Sequence, residues 1–344
     1  MSEKIRNTYV DVVRGLAMLM VVLGHTMTTS VSKSENSVLL NIIWTLQMPL
    51  FILISGYVTR YSKEIKTIQS YFGFIRKRTF SYLVPWISWT ILIKAFLYQN
   101  YKFLNPRFIL WNMDSGYWFL FTIWTIVLIY GTAEYLSSKV VTNSNVLKKE
   151  IYKCIIYVIG MIVLLSIGLR CGISFLGIKL TLYYMPFYYL GYLWGKITKE
   201  KTLNHTKIYD GIIAISLLIW VFLLRDFNIY KIGESVIGIL IRATASITGC
   251  IAAVGLGINL DKSLQDRESN VRKLLEWVGK SSLEIYLLHG TVLSLLKFNL
   301  LPVFWSVEGI ILVFANFVIT IVMCVVIISL LKGNKVINKI LFGK

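Results

Sequence analysis

Apolar runs long enough to cross a lipid bilayer recur along the whole chain of 344 residues. Hydrophobic residues make up 56% of it and charged residues only 15%, whereas a soluble domain carries about 25% charged residues. A spanning helix needs about 20 mostly apolar residues. We therefore predict an all-α membrane protein, a polytopic bundle of about ten transmembrane helices. The expected spans are residues 8–30, 39–59, 79–98, 117–136, 151–169, 181–195, 208–225, 235–257, 281–301 and 307–331.

The distribution of positive charge predicts the orientation of these spans. The net charge of +19 would suggest nucleic acid as the partner of a soluble protein. Here 24 of the 36 Lys and Arg residues fall on the side of the N-terminus and 8 on the opposite side. Cytoplasmic loops carry such an excess. We therefore expect both termini in the cytoplasm, a multi-pass protein of the cell membrane in contact with its lipids, and no nucleic-acid partner.

The connections between spans indicate one domain. The longest polar ones, 60–78, 99–116 and 257–280, leave no room for an appended soluble domain, so we expect a single membrane domain over residues 1–344. The first span is too long and too polar for a signal peptide, and no small-residue cleavage site follows it. The four cysteines are scattered without CxxC spacing. Neither a disulfide framework nor a metal site is expected.

The first span carries three residues that are unusual in lipid: Asp11, Arg14 and His25. On a helix, His25 lies about 20° around the axis from Arg14, and Asp11 lies about 60° from Arg14 on the same side. Arg14 and His25 are separated by about 16 Å along the axis. Ionisable side chains in a span usually face a bundle interior or a water-filled cavity, and we expect this face to do so.

Two further spans carry polar residues for which alternatives stay open. The second span contains Gln47, Pro49 and Ser55. It is either a helix packed through small residues or a helix kinked by its proline around a cavity. Arg242 lies about two turns inside the eighth span, too deep to reach the interface easily. We expect it to face the cavity and to pair with an acid or with a substrate oxyanion.

Cationic and aromatic residues near the expected membrane edges also have two interpretations. Arg76, Lys77 and Arg78 precede the third span. Such a cluster is most often an orientation and lipid-headgroup signal, but it could also bind the phosphates of an anionic cofactor. Trp118 opens the fourth span, where an interfacial aromatic belt is the usual explanation and a cavity position the alternative.

The ninth span places Ser282, Tyr286 and His289 on one helix face through their i, i+4, i+7 spacing. A single histidine in a membrane helix is usually a hydrogen-bonded structural residue. Two of the three histidines of this chain lie in expected spans beside polar neighbours, which favours function for His25 and His289. His205 lies in a basic loop and is interpreted as structural.

These segments occur in a fixed order along the chain. They are Asp11-x-x-Arg14-Gly15, Gly24-His25, Met48-Pro49-Leu50-Phe51 with Ser55-Gly56, Arg76-Lys77-Arg78, Trp118-Phe119-Leu120, Pro186-Phe187 with Gly191-Tyr192, and Gly279 to His289. The series resembles the signature of the integral-membrane acyltransferase-3 family over nearly the whole chain. Within that family, the plain ten-span form is similar to the fucose 4-O-acetylase-like and capsular-polysaccharide O-acetyltransferase group.

The resemblance implies transfer of an acetyl group from cytoplasmic acetyl-CoA to a hydroxyl of a glycan or lipid-linked sugar in a bacterial envelope. It implies His25 as the catalytic base, Asp11 and Arg14 as the polar pair of the same helix, and Arg76 and Arg78 as residues that handle acetyl-CoA. We expect the pantetheine arm to pass along the polar face of the first span toward His25. Some members of the family add a domain that completes the transfer outside the cytoplasm; without one, direct transfer is expected.

Several alternatives remain at the level of sequence. Transfer could proceed through an acetylated residue, with His25 as a candidate. A transporter or flippase for an anionic or glycan substrate would use Asp11, Arg14 and Arg242 as its path, although no internal repeat supports it. A membrane scaffold would leave the buried charges unexplained. The acceptor sugar, the acyl group and the oligomeric state are not specified.

Overall fold

The computed structural model describes residues 8–141, 146–200, 207–233, 235–265, 269–296 and 301–344. Within these residues the chain is helical and contains no strand, which confirms the all-α prediction; one isolated bridge joins Ser32 and Val303. The helices in chain order are α1 Thr8–Ser30, α2 Val38–Val58, α3 Ile68–Arg78, α4 Val84–Trp89, α5 Pro106–Trp111, α6 Trp118–Val140, α7 Val146–Cys171, α8 Ile178–Glu200, α9 Lys207–Asp226, α10 Val236–Gln265, α11 Asn270–Lys280, α12 Ser282–Leu295, α13 Val307–Lys332 and α14 Lys335–Phe342.

Seven helical stretches in the described part of the chain are long and apolar enough to cross a membrane. They are α1, α2, Ile68–Leu97, α6, α7, Val236–Asp261 and α13. Helices α8, α9 and α12 occupy the positions of the expected sixth, seventh and ninth spans, and α12 has only 14 residues. Multiple spanning helices are therefore confirmed, whereas the count of ten and the cytoplasmic position of both termini stay predictions.

Two of the expected polar connections are largely helical, which corrects the sequence interpretation. In the connection 60–78, Thr67 and Ser70 form a reciprocal capping box that starts α3, because each side chain satisfies a backbone N–H of the first turn. The helix then runs through two π-helical segments, Thr79–Leu83 and Thr90–Leu97. In the connection 257–280, α10 continues to Gln265 and α11 follows.

By their contacts, the residues form two compact units. The first comprises Met1–Val58 and Leu190–Leu330, and the second comprises Thr59–Tyr189 and Leu331–Lys344. The expectation of one membrane domain over residues 1–344 stays a prediction.

Helix α1 is the central element of the first unit, where it packs against α2, α10, α11 and α12. Of its most apolar window 67% is buried in protein, compared with 22% for α13. A helix surrounded by other helices can carry polar side chains without exposing them to lipid. The burial of α1 therefore explains how the polar residues of the first span are accommodated.

In the second unit, α6 packs against α3 and α7, and α14 packs against α4. The indole N–H of Trp89 donates to the carbonyl of Leu341 at 2.8 Å, and Phe342 is fully buried. These contacts hold α14 against the helical stretch Ile68–Leu97, which includes the cations of α3.

Candidate active site

The N-terminal end of α1 is held by close backbone packing against α11. A Cβ at Gly15 would collide with the carbonyl oxygen of Leu275, and a Cβ at Gly279 would collide with that of Asp11. Small residues allow membrane helices to approach this closely. This close packing explains why two of the motif positions are glycine. It also fixes the positions of Asp11, whose side chain is buried, and of Arg14, which is half-buried.

Asp11 and Arg14 do not share a reacting centre with His25. Helix α1 is continuous from Thr8 to Ser30, so the step from Arg14 to His25 corresponds to about 16 Å along its axis. The expected separation of the two ends of the polar face is therefore present in the structure. Their roles in catalysis stay predictions.

The C-terminal part of α1 brings together two histidines from distant parts of the sequence. The imidazole of His25 is exposed, although its neighbours Gly24, Thr26 and Met27 are buried. It lies against the ring of His289 on α12, with 5.1 Å between the ring centroids and 42° between the planes. An accessible imidazole backed by a second, buried one is an arrangement that can accept and return a proton.

His289 is fixed within its own helix. Only 5% of it is exposed, and its Nδ1 lies 3.0 Å from the carbonyl oxygen of Ile285, one turn earlier. The ring of Tyr286 lies 5.9 Å from that of His289, so the two residues predicted to share a face of α12 are neighbours in the structure.

Helix α2 contributes a buried amide next to the His25 turn. Gln47 is 5% exposed, and a Cβ at Gly24 would lie 3.3 Å from its Oε1. That oxygen has no hydrogen-bond partner among the described residues. Because an unsatisfied buried amide oxygen is unfavourable by about 1–3 kcal/mol, this position suits a ligand hydroxyl or a water molecule as donor.

Ser55, also on α2, has a local partner and supports the packing interpretation of this helix. Its hydroxyl donates to the carbonyl of Phe51 at 2.7 Å. Near Ser55, a Cβ at Gly191 of α8 would collide with the backbone carbonyl oxygen of Leu53 on α2. The C-terminal half of α2 is therefore packed closely against α8, and the hydroxyl of Ser55 is bonded within its own helix.

Arg242 has a different partner from the one expected. Its guanidinium donates to the backbone carbonyl of Ile232 at 2.7 Å, and no carboxylate of the described residues lies within ion-pair distance of it. Its Nε is buried without a hydrogen-bond partner among the described residues. The expected pairing of Arg242 with an acid or with a substrate oxyanion stays a prediction.

The three adjacent cations of the second unit are not equivalent. Arg76 and Lys77 are exposed, whereas Arg78 is half-buried. The guanidinium of Arg78 lies 5.3 Å from the ring centroid of Phe74, and its charge interacts with the buried Tyr188. Its Nε is buried without a hydrogen-bond partner in the described chain. Arg78 is thus the cation of this cluster with a buried, unsatisfied nitrogen, and its role toward an anionic cofactor stays a prediction.

Trp118 lies at the start of α6 in the same unit. Its indole is half-buried and stacks on Tyr184 of α8, with ring centroids 5.5 Å apart and planes at 17°. This contact explains its position by aromatic packing, and its role toward a substrate stays a prediction.

Residues 7–330 match the family model for an acyltransferase domain. The chain belongs to the acyltransferase-3 family. The nodulation protein NolL of Sinorhizobium fredii is 26% identical to it over 206 residues, which are 57% of this chain and 50% of that protein. The chain thus spans about half the length of the curated relative it matches. No solved structure matches the chain significantly.

Family membership indicates acyl transfer in a membrane, and therefore the need for a base and for a donor site. In this acyltransferase, His25 is the accessible base candidate of the first unit and Arg78 the half-buried cation of the second. No group of three or more potential metal ligands occurs among the described residues. The side chains present suit proton transfer by imidazole.

The acyltransferase also contains two ionic networks that the sequence interpretation missed. In the first unit, Arg272 of α11 donates to Asp261 of α10 at 2.8 Å and to Thr8 of α1 at 2.8 Å. The hydrogen bond to Asp261 raises the pKa of the Arg272 guanidinium. The network ties three helices together at the N-terminal end of α1.

The second network is buried between α6 and α7. Lys153 is 2% exposed and lies 2.6 Å from Glu134 and 3.0 Å from Glu150. Lys149 joins Glu134 at 3.2 Å. Lys153 and Glu134 each fall inside an expected span, 151–169 and 117–136, and this was the sequence signal for the network. The sequence did not show that the two side chains meet.

Proposed function

We propose that this acyltransferase moves an acetyl group from cytoplasmic acetyl-CoA to a hydroxyl of a cell-surface or capsular polysaccharide sugar, with His25 as the general base. The observation that supports it most directly is the exposed imidazole of His25 in a helix whose other residues are all buried or half-buried. A base must reach the hydroxyl that it deprotonates, and the packed neighbours of His25 leave its ring accessible.

The chemistry is an exchange of one acyl bond for another. The sugar hydroxyl attacks the thioester carbonyl while His25 takes the hydroxyl proton, and collapse of the tetrahedral species expels the CoA thiolate, which receives that proton. The oxygen–carbon bond replaces the carbon–sulfur bond, and no oxidant or metal enters the balance. Transfer through an acetylated His25 would use the same residue as nucleophile instead.

The donor is proposed to bind through its phosphates at the cations of α3. Arginine binds phosphate in a planar, bidentate manner, and the guanidinium of Arg78 has a buried Nε without a partner among the described residues. Arg76 and Lys77 would add attraction from their exposed positions. Asp11 and Arg14 are proposed to line the route of the pantetheine arm, with their opposite charges compensating each other.

The acceptor hydroxyl is proposed to bind near the outer end of α1. The side-chain oxygen of Gln47 next to Gly24 would accept a hydrogen bond from that hydroxyl, and Tyr286 borders His289. Sugar hydroxyls are both donors and acceptors, so a buried amide beside an imidazole suits them. With both termini in the cytoplasm, this end of α1 faces the outer side, where surface glycans are assembled.

The test uses inverted membrane vesicles from cells that produce the acceptor glycan, supplied with acetyl-CoA labelled in the acetyl group. Wild-type protein should transfer label to glycan and release free CoA, and His25→Ala should lose about 10²–10⁴-fold in rate. Thr28→Val, on the same turn, is the matched control and should retain activity. Undiminished transfer by His25→Ala would refute the base role, and glycan movement without CoA release would favour a transporter.

A further inference from the structure

The backbone contact of His289 determines which of its two ring nitrogens carries the proton. The Nδ1 of His289 lies 3.0 Å from the Ile285 carbonyl oxygen, and a carbonyl oxygen can only accept a hydrogen bond. Nδ1 therefore carries the proton. In a neutral imidazole, the other nitrogen, Nε2, then holds a lone pair and acts as an acceptor.

The ring of His289 lies on the side of His25 that faces the protein. His289 is 5% exposed, whereas His25 is exposed, and their centroids are 5.1 Å apart. The rings are in contact, and the last side-chain torsion of histidine is soft. Rotation about this torsion is the movement by which an N–H of His25 would reach Nε2 of His289. Such bonds commonly tighten only when substrate is bound.

We infer that His289 is a positioning residue that accepts the N–H of His25 and thereby selects which nitrogen of His25 faces the substrate. This inference rests on the proposed role of His25 as base. It assigns to a neutral imidazole the task that a carboxylate performs in a Ser-His-Asp triad. Placing an ionised carboxylate inside a membrane span has a high free-energy cost. A neutral imidazole carries no charge and avoids this cost.

No other group around the pair takes this role. The ring of His25 forms no hydrogen bond or ion pair with any described residue. The described ionisable side chains on the helices near it are Tyr9, Asp11 and Arg14 on α1, Tyr57 on α2, Glu284 and Tyr286 on α12, Arg242, Cys250 and Asp261 on α10, and Glu308, Cys324 and Lys332 on α13. On α2, the polar group closest to this turn is the uncharged amide of Gln47. Among the described residues, His289 provides the one aromatic ring in contact with the ring of His25.

The proton balance of the transfer is unchanged by this arrangement. The nitrogen of His25 that faces the substrate takes the proton of the acceptor hydroxyl as the oxygen–carbon bond to the acyl group forms. It returns that proton to the thiolate sulfur of the acyl-CoA as the carbon–sulfur bond breaks. The other nitrogen of His25 keeps its own proton throughout, directed to Nε2 of His289, which stabilises the imidazolium while it exists.

Two amide substitutions separate positioning from a purely structural role. Asn places its amide where Nδ1 is and can keep the bond to Ile285, whereas Gln places its amide where Nε2 is and can keep an acceptor for His25. His289→Gln should retain transfer within about tenfold, and His289→Asn should lose about 10²-fold in kcat, with KM for acetyl-CoA unchanged in both. Retained activity in His289→Asn, or equal loss in both variants at normal folding, would overturn the inference.

Controls distinguish this inference from the proposed function. If His25→Ala is inactive while His289→Asn is fully active, the base assignment stands and the positioning role is wrong. If His25→Ala is active, the proposed function itself is wrong. Should neither His289 variant accumulate, the ¹⁵N-histidine NMR spectrum of wild-type protein in nanodiscs is compared with that of His25→Asn. We expect the Nε2 resonance of His289 to move, and an unmoved resonance contradicts the contact.

Discussion

An imidazole in a membrane helix can act as a base only where it stays accessible, and the residues around His25 meet that condition. Gly24 lies against Ile43 and Gln47 of α2, and Thr26 and Met27 are fully buried. The hydroxyl of Thr29 donates to the backbone carbonyl of His25 at 2.8 Å. The backbone of this turn is thus held on several sides while the ring remains open.

At the same scale, Arg78 is distinguished from its two cationic neighbours by its surroundings. We expect Arg78→Ala to raise KM for acetyl-CoA by about tenfold or more, because a charge-assisted hydrogen bond contributes about 1.5–3 kcal/mol. Lys77→Ala, which removes an exposed charge, should change KM by less than about twofold. The measurement is steady-state acetyl transfer in membranes, with insertion checked by protease protection. Equal effects of the two substitutions would contradict a binding role for Arg78 and leave the cluster as an orientation signal.

At the scale of elements, α1 and α11 are packed so closely that their glycines carry the contact. Gly15 and Gly279 each face a backbone carbonyl of the other helix. Arg272 adds an ion pair with Asp261 and a hydrogen bond to Thr8. Packing of this kind aligns the N-terminal end of the polar face of α1. It makes α11, a polar surface helix by its sequence, part of the support of the site.

We expect Gly15→Ala to destabilise the protein by about 1–3 kcal/mol, because the added methyl group must displace the Leu275 carbonyl. Gly290→Ala on α12 is the matched control, since nothing lies within 4 Å of a Cβ built at that position; it should be neutral or slightly stabilising. The measurement is thermal unfolding in detergent. A Gly15→Ala protein with an unchanged midpoint would show that the two backbones are farther apart.

At the scale of the whole molecule, the orientation of the spans connects chemistry to topology. We expect Lys33→Cys, between α1 and α2, to react with an impermeant thiol reagent in intact cells, and Lys63→Cys, between α2 and α3, to react only after permeabilisation. Both lysines are exposed, and the positive-inside rule places them on opposite sides. The background replaces the exposed Cys154 and Cys171 by serine. The reverse labelling pattern would invert the orientation, and with it the side from which acetyl-CoA enters.

Helix content and most spans follow from the sequence, because a long apolar run has one stable form in lipid. The runs at α1, α2, α6, α7 and α13 correspond to the expected spans within a few residues. The start of α3 at Ile68 was not predicted, since its capping box lies in a polar segment that hydropathy treats as a loop. Helix α11 was missed for the same reason, because its amphipathic pattern was read as a connection.

The sequence by itself determined that this chain is an all-α membrane protein of the acyltransferase-3 family and which polar residues lie in its spans. Helical periodicity gives the angular position of each residue around its own axis. It does not give the rotation of one helix toward another, so only the tertiary structure decided that His25 meets His289 and that Arg242 meets the Ile232 carbonyl. The same reason applies to Lys153 and Glu134, whose attraction becomes visible only when α6 and α7 are packed together.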